Sequence, residues 1–268
     1  MRELKRYPKI EKLSNRGLLC FCLVFLNLTP SLVTAACDSW TQGALYTVKQ
    51  ISDGDTLLLS SGEKVRLIGI NTPELARKQR PAEHFARDAK SRLKTLIAAS
   101  NSKIYLQYGH ETQDRYKRIL AHIYDRDGRN ITEKLLSEGF GYAITFPPNL
   151  QNFTCYQQAE RTARENAKGI WRNHQPILST ELPHDAGGFY LLQGVIQRVG
   201  KSKRSLWLNL EGTVALRIDR LDLSWFPDLD VSQLEGQRVE ARGWIYRRKG
   251  EQRIRLRHQA AIRILPLR

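Results

Sequence analysis

Acid is what this chain is short of relative to base. Twenty-seven Asp and Glu face 43 Lys and Arg, which gives a formal charge of +16 and a pI near 9.9. A bias of that size speaks to partners rather than to fold, and it points to a polyanion, either nucleic acid or an acidic membrane surface. A merely soluble cationic protein is the bland alternative. Histidine is scarce as well: the six present are scattered, with no zinc-ligand spacing among them. No Ser or Cys stands in an arrangement that pairs a nucleophile with a neighbouring base. Repeats and low-complexity tracts are also missing. With 41% hydrophobic and 9% aromatic residues over 268 positions, the chain is globular, with room for one large domain or two small ones.

Cysteine is nearly absent too, and two of the four lie in an unusual place. Residues 1–17 are basic (Arg2, Lys5, Arg6, Lys9, Lys12, Arg16). LLCFCLVFLNLTPSLV follows as an apolar run, and VTAAC supplies small residues for cleavage after Ala35 or Ala36. This resembles a bacterial secretory signal and implies a periplasmic or secreted protein. The run is short for a membrane span, and Asn27 and Pro30 weaken it further, so an uncleaved anchor is the alternative. A lipid on Cys37 is a third reading, although Thr34 stands where a lipoprotein signal carries an aliphatic residue. The membrane is therefore a partner only if the segment stays uncleaved or Cys37 is lipidated. Removal of residues 1–36 takes away six basic and two acidic side chains, so the remainder is still +12. Cys20 and Cys22 leave with the signal. Cys37 and Cys155 remain in an oxidising compartment, and a disulfide between them is expected.

Beyond the leader, ALYTVKQI, TLLLSS and KVRLIGI are short β-branched and aliphatic runs separated by SDGD and SGE, the pattern of an antiparallel meander. From Ala82 to about Ser100, Phe85, Ala89, Leu93, Leu96 and Ile97 recur at helical spacing. KIYLQY and RILAHIY read as strands. ITEKLLSEG reads as a short helix ending at Gly139, and a last helix runs from about Thr154 to Lys168, closed by Gly169. From residue 188 onward the pattern is strand only. The expected architecture is mainly β with α. It comprises a signal at 1–36, a five-stranded barrel with helices over 37–173, a linker at 174–187, and a second small β-barrel over 188–268.

Chemistry concentrates in three short stretches. SDGDT places Asp53 and Asp55 around a glycine at a strand start, which alone is ordinary turn chemistry. VRLIGINTPE carries Arg66 inside an apolar strand and Glu74 beyond its end. Thr72, Pro73 and Glu74 also fit a helix start, a reading that needs no function. Arg66 is harder to dismiss, because an unpaired buried guanidinium costs several kcal/mol, on the order of a small domain's stability. It wants an anion. DRYKR presents Tyr116 and Arg118 on one strand face just ahead of an apolar strand, or else forms a solvated edge.

In this order, across residues 44–172 and ending on GIW, these stretches resemble the staphylococcal nuclease-like family. The resemblance implies an OB-type barrel with helices and Ca²⁺-dependent hydrolysis of DNA and RNA phosphodiesters. It implies that Asp55 and the carbonyl of Thr72 hold the metal, that Glu74 orients or activates water, and that Arg66 and Arg118 bind the scissile phosphate. Arg115 and Tyr116 would hold a terminal phosphate. Two positions depart from the family pattern. Asn71 stands where a second metal-binding aspartate is usual, and Lys117 replaces the customary glycine. Tyr142 and Phe146 fall near the expected base pocket, out of the usual register. A binding protein that has lost catalysis is the rival reading. Asn71 is a step toward it, and joint retention of Arg66, Glu74 and Arg118 argues against it.

The last strands carry a separate signal. Arg253, Arg255 and Arg257 alternate with Ile254 and Leu256, while Arg242, Trp244 and Tyr246 alternate with Ala241, Gly243 and Ile245. If the two strands pair through YRRKGE, cations and aromatics interleave on one face suited to single-stranded nucleic acid. A solvated basic face with Trp244 packed into the barrel is the alternative. No obligate protein partner is implied.

Overall fold

The computed structural model describes residues 37–76, 81–173 and 175–266; the expected leader lies outside them. Its strands are β1 (Leu45–Ile51), β2 (Thr56–Leu59), β3 (Lys64–Leu67), β4 (Ile70–Asn71), β5 (Lys103–Gln113), β6 (Ile119–Tyr124) and β7 (Tyr142–Ala143). They are followed by β8 (Ile177–Leu178), β9 (Gly188–Lys201), β10 (Ser205–Leu210), β11 (Val214–Asp219), β12 (Arg238–Arg248), β13 (Glu251–Leu256) and β14 (Ile262–Ile264). The helices are α1 (Ala86–Ala99), α2 (Ile131–Ser137) and α3 (Phe153–Glu165).

Two barrels result, and they share one topology. The first closes in the order β1-β2-β3-β6-β5 with β3 and β6 parallel. The second closes as β9-β10-β11-β13-β12, β12 returning to β9 and β11 running parallel to β13. This is the five-stranded OB arrangement twice over. The period-two alternation dictates which side chains fill each barrel: Val65 and Leu67 are buried while Arg66 between them points outward, and Ile254 and Leu256 are buried while Arg253 and Arg255 point outward. On α1, Ala86, Ala89, Leu93 and Ile97 form the buried stripe. That helix begins later than its periodicity predicts, because Phe85 adopts a left-handed conformation that the helical ladder cannot include.

Backbone contacts place α3 under the site. A Cβ on Gly69, which has φ of +89°, would lie 2.2 Å from the Tyr156 ring, so only glycine lets α3 pack against the β3–β4 connection. The Cys37–Cys155 disulfide, with Cα atoms 5.4 Å apart, pins the start of the described chain to the same helix. The segment 174–187 is more than a spacer. It contributes β8, which pairs with β9, and places Leu182 and Ala186 in the second core. Charged and aromatic groups join the barrels. Arg164 makes a two-pronged pair with Glu240 at 2.9 and 2.8 Å, and Arg242 reaches Glu160 at 2.6 Å and the Ala143 carbonyl at 3.0 Å. Burial pushes the Glu240 carboxyl up, but Arg164, Arg263 and Arg242 outweigh that and hold it below the usual range. Among the described residues no helix is long and apolar enough to cross a membrane.

Candidate active site

The site starts with a tight turn between β1 and β2. Gly54 sits so close to its neighbours that a Cβ would lie 2.7 Å from Thr72 Oγ1 and 2.8 Å from the Ala89 Cβ. The glycine of DGD is therefore a packing requirement as well as a turn former. The turn delivers Asp55 to the start of β2, where its side chain is almost fully buried. One oxygen, Oδ2, accepts from the Thr72 amide at 3.0 Å and the Thr72 hydroxyl at 3.2 Å, and the Arg66 guanidinium lies 3.2 Å away. The other, Oδ1, accepts from Thr56 Oγ1 at 3.0 Å. Arg66 also donates to the Leu67 carbonyl at 2.6 Å. The strand arginine thus has its anion: Asp55, eleven positions earlier in sequence and next to Thr56, which pairs with Arg66 across the β2–β3 hairpin.

Thr72 does not start a helix. Residues 72–76 are irregular, and both polar groups of Thr72 are committed to Asp55, which rules out the capping reading. Asn71 is buried in β4 and pairs across to Tyr142 in β7. Glu74 is exposed, and its backbone is fixed by Glu83: Glu74 N donates to Glu83 Oε2, and Glu83 N donates to the Glu74 carbonyl, both at 2.9 Å.

Sequence reasoning treated Asp53 as a turn residue and gave it no role. Its Oδ1 accepts from the Asp55 amide at 3.1 Å, so a second carboxylate lies beside the first. Burial, followed by the charge of Asp55, pushes its carboxyl up to about 6. Two acids around one glycine were the available signal, but their convergence depends on burial that the local pattern does not encode.

Residues 114–118 form a turn rather than a strand face. Asp114 organises it, accepting from the Tyr116 amide at 2.8 Å, the Arg118 amide at 3.0 Å and Arg118 Nε at 2.7 Å. Lys117 occupies the left-handed region at φ 63°, the conformation for which glycine is favoured, so the turn persists without it at a cost of roughly 1–2 kcal/mol. The exposed Tyr116 ring lies under Arg115 and Arg118, with their guanidinium carbons 4.8 and 5.5 Å from its centroid. Because β6 runs parallel to β3 with Ile119 opposite Val65, Arg118 enters at the same end of the barrel as Arg66's strand. Asp53, Asp55, Arg66 and Thr72 are in direct contact; Arg115, Tyr116 and Arg118 form a second cluster on the adjoining turn.

The residues expected to form one substrate face divide. Arg242 is buried at the junction and committed to Glu160 and Ala143, which corrects the expectation of an open binding side chain. Tyr142 is likewise packed at the junction, with ring centroids 5.3 Å from Trp171 and 5.0 Å from Phe189, and burial raises its hydroxyl above the ordinary range. Arg257 lies over the Phe146 ring. Trp244 packs on Phe146 and Phe189, and Arg255 pairs with Asp219 and Asp222. Tyr246 pairs in register with Arg253, so the proposed β12–β13 hairpin is present. A cleft of about 670 Å³ lies at the junction and is lined by Phe153, Glu160, Arg164, Asp228, Arg242 and Arg263. It excludes Asp55, Arg66 and Glu74, and its acids Glu160 and Glu240 are engaged in ion pairs.

Residues 64–173 match the family described as staphylococcal nuclease homologue. A thermonuclease of Staphylococcus intermedius is 32% identical over 133 residues, covering 48% of this chain and 77% of that protein. A thermonuclease of Staphylococcus hyicus is 31% identical over 131 residues, covering 48% of this chain and 76% of the relative. Endonuclease YhcR of Bacillus subtilis is 27% identical over 172 residues, 60% of this chain but 14% of its own length. Barrel topology, the Asp55–Arg66–Thr72 cluster and these relatives agree: the chain belongs to the staphylococcal nuclease family.

Proposed function

We propose that this protein is a periplasmic or secreted nuclease that hydrolyses DNA or RNA phosphodiester bonds with Ca²⁺. The observation that carries the reading is the pairing of Arg66 with a carboxylate at the mouth of the first barrel, with Arg118 at the end of the turn that leads into the adjacent parallel strand. Two guanidiniums offer fork-shaped donors to phosphate oxygens, which gain charge as the phosphorus becomes five-coordinate. Asp55 holds Arg66 in place. Glu74, exposed beside this end, accepts the proton of the attacking water at its carboxylate.

The donor set suits a hard cation. Every candidate ligand is an oxygen, and the Asp53–Asp55 carboxylate pair, where burial and then the charge of Asp55 raise Asp53 to about 6, is a site that a dication would neutralise. Asp55, with the oxygens of Asn71 and Thr72, would hold Ca²⁺, and Asp53 stands beside them. Among the described residues no group of three Asp, Glu, His or Cys side chains converges as a metal-holding cluster, so the site relies on fewer charges than a calcium-binding cage. Bound there, the cation supplies charge stabilisation at the phosphate.

Release of acid-soluble nucleotides from DNA and RNA, measured with Ca²⁺ and with chelator, tests the reading. Chelator-sensitive release is expected. No release under either condition would favour a nucleic-acid-binding protein of the same fold, to which the neutral Asn71 is the pointer.

A further inference from the structure

Residues 188–268 hold sixteen Lys and Arg against eight Asp and Glu, an excess of eight in less than a third of the chain. Six of these cations sit at the tips of two hairpins of the second barrel: Lys201 at the end of β9 with Lys203 and Arg204 before β10, and Arg247 and Arg248 at the end of β12 with Lys249 before β13. All six are exposed, and none makes an ion pair among the described residues. Several of the barrel's other arginines have an acid partner: Arg217 with Asp219, Arg253 with Glu251, Arg255 with Asp219 and Asp222. Unpartnered charge is therefore concentrated at the two turns.

A side-chain contact joins the strands that follow the two hairpins, which lie at opposite ends of the sheet: Asp219 at one end of β11 pairs with Ser205 beside the first, and Val214 at the other end pairs with Gln252 beside the second. Trp207 follows the first turn and Arg253 follows the second, and the Arg253 guanidinium lies 4.6 Å from the Trp207 ring centroid, with that of Arg217 at 5.7 Å. From there the face continues in register through Arg217 on β11 to Arg255 on β13. Arg255 shares a small cavity lining with Trp244, Arg257 and Phe146. The last two rings are exposed, Trp244 at 39% and Phe146 at 38%, with centroids 5.7 Å apart. Phe146 belongs to the first barrel, three residues beyond β7, which pairs with the β4 strand that leads into Thr72.

We propose that this face binds single-stranded nucleic acid, along a track that crosses the strands through Trp207, Arg217 and Arg255 to the Trp244–Phe146 pair, with one cationic hairpin on either side of it. Charge on turns flanking a row of rings and guanidinium planes matches a flexible anion with exposed bases: phosphates meet the loop cations and bases stack on the rings. A duplex hides its base faces and leaves Trp244 and Phe146 unused. Placed this way, the second barrel delivers a strand to the segment that abuts the catalytic barrel. The binding does not depend on cleavage and is measurable without it.

The experiment is fluorescence anisotropy in chelator, using the full chain and a labelled oligothymidylate of about 20 nucleotides, longer than the roughly 4–16 that one OB barrel covers. Reversal to Glu of Lys201, Lys203 and Arg204, and separately of Arg247, Arg248 and Lys249, is expected to weaken binding at least about tenfold. Each reversal also lowers the salt slope by about 2, at roughly 0.7 per phosphate contact. Trp244→Ala weakens binding about five- to a hundredfold, whereas Trp244→Phe retains most of it, which separates lost stacking from damage to the barrel. A duplex of the same length binds more weakly than the single strand. Unchanged affinity in both loop variants would overturn the proposal, and so would equal affinity for the duplex. Absence of cleavage by the wild-type protein in Ca²⁺ would leave these results standing, since that outcome speaks only to the nuclease reading.

Discussion

The two barrels place an arginine at the same point and give it different company. In the first, Arg66 on the third strand pairs across to Thr56 on the second and Leu120 on the fifth. In the second, Arg217 occupies the equivalent row, across from Trp207 and beside Arg255. The residue before Thr56 is Asp55, a buried carboxylate that takes Arg66; the residue before Trp207 is Leu206, which fills the core. Arg217 turns instead to Asp219 on its own strand and to the Trp207 ring. One topology thus yields a charged site or a stacking surface, according to whether the neighbouring turn delivers an acid. The first barrel also carries three α-helices and a disulfide, whereas the described part of the second has only short 3₁₀ helices and no cysteine.

The sharpest way to break this contrast is to remove catalytic groups from the first barrel. If the proposed roles hold, Glu74→Gln and Arg118→Ala should each lower turnover by about 10²–10⁴-fold with circular dichroism unchanged, because the proposed mechanism has both act on the transition state. Turnover equal to wild type in both would erase the functional difference between the barrels. The next effect in size concerns the junction. Arg242→Met leaves Glu160 buried with its main partner gone and should cost about 3–5 kcal/mol in urea unfolding. By contrast, Arg253→Met removes a pair with the exposed Glu251 and should cost about 1 kcal/mol or less. Equal losses would mean that the two faces do not differ in burial as described.

Replacement of Cys37 and Cys155 by Ser opens a cross-link between residues 118 apart and should lower stability by roughly 2–4 kcal/mol. An unfolding midpoint that reducing agent leaves unmoved in the wild type would show that the first barrel gains nothing from it. The smallest effect is expected at Asn71. Restoring a carboxylate with Asn71→Asp should lower the half-saturating Ca²⁺ concentration several-fold while keeping the maximal rate, since affinity rises with the number of charged ligands. Coincident titration curves would assign Asn71 to closing the β4–β7 ribbon alone.

Much of this was legible in the residues. The alternation in KVRL set Arg66 outward between two core residues, and that in QRIRL did the same for Arg253 and Arg255, while Arg257 falls just past the strand; both follow from the two-residue period of a strand. The order of DGDT, TPE and DRYKR gave the barrel and its family, and the surviving cysteine pair gave the disulfide. Packing settled the rest. Nothing near Asp53 in sequence says that it will be buried beside Asp55, and nothing near Arg242 says that Glu160, 82 positions away, will claim it. Local pattern determines which way a side chain points, because backbone geometry is local. Whether a charge that points outward meets water, another barrel or a partner acid depends on contacts between distant segments, and only the tertiary structure decides them.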